Sequence, residues 1–336
     1  MKLTRYLLPI ILSIQPLFAQ VSDFAAVDFT KADNRAQFYY GASLDNLPVL
    51  AHQLTKDLST DVEKFRAIYL WVCQNIKGDN RQFLKVERQR NKLQHDSISF
   101  MKWNYNYARK AFKKLLKYKA TMCTGYAYLL KELCYLANLP CEIVDGYGRT
   151  VSANVLALDT PNHSWNAVQL NGKWYVCDAT WASGYLDEYY VFIKAYNDGY
   201  FLTDPTLFAK NHFPLDKKWL LDATLTATEF VNAPLVYGES FATGVSPIYP
   251  KTMDIETTTD KATTFSIGTN TDVLPKNVAL VLYLGPKEKE LPSDVKAQKD
   301  NILTISHRFK IKGTYDVHLK IDDAIIATYT VKVKKV

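Results

Sequence analysis

The 336-residue sequence predicts an α+β domain followed by a small β-sandwich. Three observations predict it. Apolar residues recur at three- and four-residue spacing from Val62 onward, which is a helical pattern. An Asn171-Gly172 turn joins two β-rich runs in the middle of the chain. After about residue 222 helical periodicity gives way to short β-rich runs with turns between them. The composition agrees: 48% hydrophobic residues with only 13 Gly and 13 Pro exclude disorder and collagen-like assembly. A net charge of +7 is too small for a dedicated nucleic-acid binder.

At the N-terminus, Lys2 and Arg5 precede the apolar run Tyr6-Leu7-Leu8-Pro9-Ile10-Ile11-Leu12, and Pro16-Leu17-Phe18-Ala19 follows. This reads as a secretory signal peptide over residues 1–19, cleaved near Ala19, with export to the periplasm or the extracellular space. The run is too short and too broken by proline to span a bilayer, and no later stretch of about 18 apolar residues occurs, so no integral membrane segment is expected. Residues 20–50 show weak periodicity and read as an irregular leader. The first domain then covers residues 51–221 and the β-sandwich 222–336, a boundary at which residues 20–222 would fold alone.

Ser59 or Thr60 can cap a helix through Val62, Phe65, Ile68, Tyr69 and Val72 that ends near Gly78. Residues 77–120 hold 13 basic and three acidic side chains. Phe100, Trp103, Tyr107, Ala111 and Leu115 make the second half of this segment a basic amphipathic helix, either a solvated face or an electropositive approach to a cleft. Thr121 can cap the next helix, which places Cys123 at its second position. Tyr126, Leu130, Leu133 and Ala137 form that helix's stripe, and Asn138-Leu139-Pro140 stops it. Cys141–Val144 is a strand. The hairpin runs from Ser164 to Leu170 and from Lys173 to Asp178. In the second domain Thr263–Ile267, Val278–Leu284, Ile302–Ile305, Tyr315–Ile321 and Ile325–Val333 read as strands, and its charges balance, 14 basic against 14 acidic.

A two-residue turn at Asn171-Gly172 fixes the register. It pairs Leu170 with Lys173, Trp165 with Asp178 and His163 with Thr180. His163 and Asp178 then lie diagonally on one sheet face, so the imidazole can donate to the carboxylate and keep its other nitrogen free. Cys123 sits near a helix start, where free amides and the helix dipole favour thiolate. Cysteine, histidine and carboxylate in these places are the elements of nucleophilic acyl transfer. Of the other cysteines, Cys134 and Cys141 read as packing residues, with a disulfide between them the second choice. Cys177 points away from His163 because strand neighbours alternate. There is no CxxC pair, and His52, His95, His212, His307 and His318 have no ligand-like spacing. No metal and no cofactor are expected.

Cys123-Thr124-Gly125-Tyr126-Ala127, His163-Ser164-Trp165-Asn166 and Trp174-Tyr175-Val176-Cys177-Asp178-Ala179-Thr180-Trp181 resemble the three core motifs of the transglutaminase-like superfamily. The resemblance runs from about Val62 to Leu221. Tyr200–Pro205, His212-Phe213-Pro214 and Trp219 are similar to the branch named after the kyphoscoliosis peptidase. Two positions depart from that pattern, Gly78-Asp79 after the early helix and Leu220 after the late Trp. The resemblance implies a transglutaminase-like (papain-like) domain followed by an all-β immunoglobulin-like sandwich. It implies Cys123 as nucleophile, His163 as general base and acid and Asp178 as orienting carboxylate, with Trp165 and Trp103 as substrate-binding residues. The expected protein is an exported cysteine-dependent acyl-transfer enzyme on peptide amides, a peptidase before a transglutaminase, acting on a protein or peptide. A non-catalytic scaffold that recruits a protein partner through its sandwich is the competing class.

Overall fold

The computed structural model describes residues 21–335 apart from 159, 188, 270–274 and 299–300. The expected signal peptide lies outside the described residues.

The segment read as an irregular leader is ordered. After a 3₁₀ turn at Val21–Phe24 come helices α1 (Thr30–Phe38) and α2 (Leu47–Thr55). Their signal is weak in sequence because α1 packs through small residues: Ala32 and Ala36 are both fully buried. Helix α3 (Asp61–Asn75) begins at Thr60, whose hydroxyl accepts from the Glu63 amide while Glu63 accepts from the Thr60 amide, a capping box. It is buried on nearly every side from Val62 to Cys73, which makes it the central helix of the domain. Arg66 ties α1 to it, 2.7 Å from Asp33, with its guanidinium over the rings of Phe29 and Phe201.

Strand β1 (Lys77–Gly78) leads into α4 (Asn80–Lys92), capped by Asp79, and α5 (Ser97–Tyr118), capped by Asp96. The chain returns on β2 (Ala120–Thr121), which pairs parallel with β1. The whole basic segment is therefore a two-helix excursion, its first half helical as well as its second. Its ends are stitched together just before α6 (Cys123–Leu136).

Helix α6 buries Tyr126, Leu129, Leu130 and Leu133 and packs against β3 (Cys141–Gly148) and β4 (His163–Leu170). With β5 (Lys173–Cys177) these strands begin an antiparallel sheet, and the hairpin keeps the predicted register from Leu170↔Lys173 to Asn166↔Cys177. Short elements follow: α7 (Ala179–Ser183), the β6 (Gly184–Leu186) and β7 (Phe192–Lys194) hairpin, α8 (Pro205–Phe208) and β8 (His212–Pro214). The sheet order is β5-β4-β3-β8.

Two six-residue helices, α9 (Ala227–Asn232) and α10 (Gly238–Thr243), flank β9 (Leu235–Val236). They are too short to leave helical periodicity in the sequence, which is why the region beyond residue 222 read as strands alone. The remaining strands are β10 (Val245–Tyr249), β11 (Asp254–Thr258), β12 (Ala262–Thr269), β13 (Val278–Leu284), β14 (Lys287–Leu291), β15 (Asp294–Ala297), β16 (Ile302–Arg308), β17 (Gly313–Ile321) and β18 (Ala324–Lys334). They form two sheets, β10-β12-β16-β15 and β11-β18-β17-β13-β14, with β9 also on β18. Phe265 of the first meets Tyr329 of the second edge to face, their centroids 5.1 Å apart. One apolar cluster runs from α3 and α6 into these sheets.

Candidate active site

The corner between β2 and α6 sets the nucleophile. Thr121 stays in the strand, held by pairing with Gly78, and Met122 is extended. Thr121 is therefore not the helix cap that the sequence suggested. Its hydroxyl turns inward beside Gly125, where a Cβ would lie 1.9 Å from Oγ1, so no larger residue fits. Cys123 becomes the first helical residue rather than the second, still within the turn where unpaired amides and the dipole favour an anion.

His163 opens β4. Asp178 follows the last residue of β5 and leaves the sheet, so the expected pairings of Trp165 with Asp178 and of His163 with Thr180 do not form. Instead Asp178 caps α7, Oδ1 accepting from the amides of Thr180 (2.7 Å) and Trp181 (3.2 Å). Its Oδ2 lies 2.6 Å from His163 Nε2. That engages one ring nitrogen and leaves Nδ1 for the thiol. Helix and sheet are held together nearby: Thr124 Oγ1 is 3.4 Å from Ser164 Oγ, which donates to Asp145 at 2.6 Å.

Burial opposes every charge here, and the partners outweigh it. Burial works against the Asp178 carboxylate, yet the charge and hydrogen bond of His163, with the hydrogen bond of His212, hold it below the usual carboxylate range. Burial likewise disfavours an imidazolium at His163, but Asp178 and the Cys123 thiol raise its pKa to about 10. The Cys123 thiol is pushed up by burial and pulled further down by the hydrogen bond and charge of His163 and by the Ser164 amide. At neutral pH the site holds an imidazolium at His163 and a carboxylate at Asp178, beside a Cys123 thiol that the imidazolium makes more acidic. Cys73, Cys134 and Cys177 are held as neutral thiols by burial.

His212 is the residue that sequence reasoning missed. Its Nε2 lies 3.1 Å from the same Oδ2 of Asp178. It comes from a three-residue strand 34 positions beyond Asp178, and the His212-Phe213-Pro214 motif was its only trace. His163, Asp178 and His212 form the one group of three potential metal donors found among the described residues. Each of the facing atoms is already taken up in a hydrogen bond of the group, which reads as a relay rather than a ligand set.

The tryptophans divide. Trp181 stacks on His163 with centroids 4.7 Å apart. Trp165 is 1% exposed and packs against His212 and Phe208, so it has no surface to offer a substrate, contrary to expectation. Trp103 lies half-buried in a ladder with Phe100 and Tyr107 along α5. Arg90 of α4 is within electrostatic reach of Cys123, and its buried Nε has no hydrogen-bond partner.

Residues 48–179, a span that includes Cys123, His163 and Asp178, match the family model described as the transglutaminase-like superfamily. Kyphoscoliosis peptidase of Homo sapiens is 33% identical over 229 residues, 65% of this chain and 31% of that protein. The Mus musculus kyphoscoliosis peptidase is 33% identical over 226 residues, 64% of this chain and 30% of that protein. Hillarin of Drosophila melanogaster is 28% identical over 211 residues, 58% of this chain and 23% of that protein. The chain spans less than a third of the length of these curated relatives.

Proposed function

We propose that this chain, whose residues 48–179 form a transglutaminase-like domain, is a cysteine-dependent acyl-transfer enzyme that hydrolyses peptide amides. The observation that carries the reading is the contact of His163 with Asp178 at 2.6 Å, with Cys123 at a helix start and its thiol pKa lowered by the neighbouring His163. In the reaction the Cys123 thiolate attacks the amide carbonyl carbon and its electrons move to the carbonyl oxygen. The first amides of α6, unpaired within the helix, are the donors available to stabilise that oxyanion. His163 Nδ1–H then passes its proton to the departing amine as the C–N bond breaks, leaving a thioester. Neutral His163 next takes a proton from water, the hydroxide oxygen bonds the carbonyl carbon, and as the C–S bond breaks the carboxylic acid leaves and the Cys123 thiolate and His163 imidazolium are restored. Asp178 keeps the ring oriented throughout and does not itself take the proton.

The relatives' printed name, a peptidase, supports water as acceptor. An exported location is part of the proposal, supported by Lys2, Arg5 and the apolar run that follows. The test is full-length protein incubated with a peptide carrying a thiol-reactive warhead, and separately with a peptide mixture in ¹⁸O-water with and without a primary amine. The expected outcome is a label on Cys123, ¹⁸O in new carboxyl termini and a processed N-terminus near Gln20. Amine incorporation without ¹⁸O would replace hydrolysis by transamidation. An unlabelled Cys123 would leave a non-catalytic scaffold.

A further inference from the structure

We propose that His212 is a positioning residue of the triad: its Nε2–H shares the Oδ2 atom of Asp178 with His163 and tempers the pull of that carboxylate on the catalytic imidazole. The inference rests on the reading of Cys123, His163 and Asp178 as a triad and adds a fourth member to it.

The sheet brings the two imidazoles together. Strand β3 lies between β4 and β8, with Gly146 opposite His163 on one side and Gly148 opposite His212 on the other. A Cβ at Gly148 would stand 3.1 Å from His163 and 2.9 Å from Trp181, so a glycine there keeps the space beside the catalytic ring open. The His212 side chain has no exposed surface. It stacks on Phe208 with centroids 3.9 Å apart, lies 4.4 Å from Trp181 and meets Trp165 edge on at 5.0 Å. This packing leaves the ring one orientation, with Nε2 on Asp178.

Burial keeps His212 neutral, its pKa lowered to about 4 despite the adjacent carboxylate. A neutral imidazole has one N–H, and the carboxylate demands it at Nε2. Nδ1 is then an acceptor. A half-turn of the Asn211 amide, whose Oδ1 is 2.6 Å from Nδ1, turns its NH₂ toward the ring and its oxygen toward the Tyr200 hydroxyl, now 3.3 Å from Nδ2. Tyr200, Asn211, His212, Asp178, His163 and Cys123 then form one hydrogen-bonded series.

Asp178 consequently accepts four hydrogen bonds, two from backbone amides on Oδ1 and two from imidazoles on Oδ2. Four is about its full capacity. Such a carboxylate is a poor base, and it holds the His163 proton less firmly than one with a free lone pair. The gain falls in the step where His163 must release its other proton, on Nδ1, to the departing amine, because a weaker acceptor at Nε2 leaves the imidazolium a stronger acid. The other titratable groups facing the cluster are Tyr69 and Cys73 from α3, Tyr126 from α6, Cys177 from β5, and Tyr200, all kept neutral by burial. Arg90 faces Cys123 from α4. His163, with its pKa raised to about 10, is therefore the member of the cluster whose midpoint reports on Asp178.

The experiment follows the ring ¹⁵N and ¹H resonances of both histidines against pH in full-length wild type, His212→Phe and His212→Gln. Phenylalanine keeps the stack and removes the donor; glutamine restores an N–H. In the wild type His212 should remain neutral with the proton on Nε2 from pH 5 to 9. His212→Phe should move the His163 midpoint up by on the order of one pH unit, and His212→Gln should return it. An unchanged His163 midpoint in folded His212→Phe overturns the proposal. So does a wild-type His212 that carries its proton on Nδ1, a readout that needs no variant should His212→Phe fail to fold. The underlying reading fails separately: a wild-type Cys123 that no warhead labels would sink the enzyme while leaving the His163 midpoint comparison intact.

Discussion

Cys123 differs from the other four cysteines in what surrounds its sulfur. Cys73, Cys134, Cys141 and Cys177 are buried, and three of them have thiols that burial keeps neutral. Cys123 alone is partly exposed and meets an imidazolium. Its pKa is lowered by the His163 hydrogen bond and charge against the opposing effect of burial, so alkylation should reach its plateau at lower pH than at an ordinary thiol. Native iodoacetamide labelling across pH, read by peptide mass spectrometry, should find Cys123 modified at least tenfold faster than the others near pH 7. His163→Ala removes both the hydrogen bond and the charge, so the labelling midpoint should move upward. Equal rates at Cys123 and Cys177 would count against the thiolate.

Among the elements, the junction of β3 with α9 is the most exacting. Arg149, one residue past β3, is 3% exposed, and what its guanidinium meets among the described residues is chiefly backbone carbonyl oxygen. Its guanidinium donates to the carbonyls of Val231 (2.7 Å), Ala233 (2.6 Å) and Pro234 (3.0 Å) at the end of α9. Arg149→Met would leave these acceptors buried and unpaired, a loss of about 3 kcal/mol, seen as a lower urea midpoint at unchanged m-value. Lysine has one ammonium in place of the planar fork and should recover only part of it. Full stability in Arg149→Met would mean that water replaces the guanidinium. The elements also differ in how well they could be read. The α3 cap, the α6 stripe and the Asn171-Gly172 register from Leu170↔Lys173 to Asn166↔Cys177 are local, and each is found in the structure. The β2 strand end at Thr121 depends on a partner 43 residues away, and α1 on buried alanines, so neither left a periodic trace. His163 and Asp178 were paired by turn geometry within 15 residues, whereas His212 reaches Asp178 only through the order of strands in the sheet.

Across the whole molecule, the region after residue 222 is joined to the site's surroundings. Phe241 of α10 stacks on Tyr200 with centroids 4.4 Å apart, and Asn197 donates to the Gly238 carbonyl at 2.7 Å. Tyr200 in turn bonds Asn211, beside His212. A fragment ending at residue 222 loses the Phe241 ring and every carbonyl that Arg149 uses beyond that point. It should melt on the order of 10 °C below the full chain and label more slowly at Cys123, both measurable by calorimetry and mass spectrometry on matched preparations. A fragment as stable and reactive as the full chain would show that the two parts fold independently, as the change in sequence texture first suggested.

The stack of Trp181 on His163, 4.7 Å and 25° from parallel, gives the molecule an internal light gauge. An imidazolium against an indole accepts an electron from its excited state and darkens its emission; a neutral imidazole does so far less. In the resting state the proton sits on His163, with a pKa of about 10, so Trp181 should be dim at neutral pH. Forming the thioester sends that proton away with the departing amine, and Trp181 should brighten for as long as the acyl group stays on sulfur. Stopped-flow emission would then display the filling and emptying of the nucleophile in unlabelled protein, as a rise and decay that Trp181→Phe abolishes.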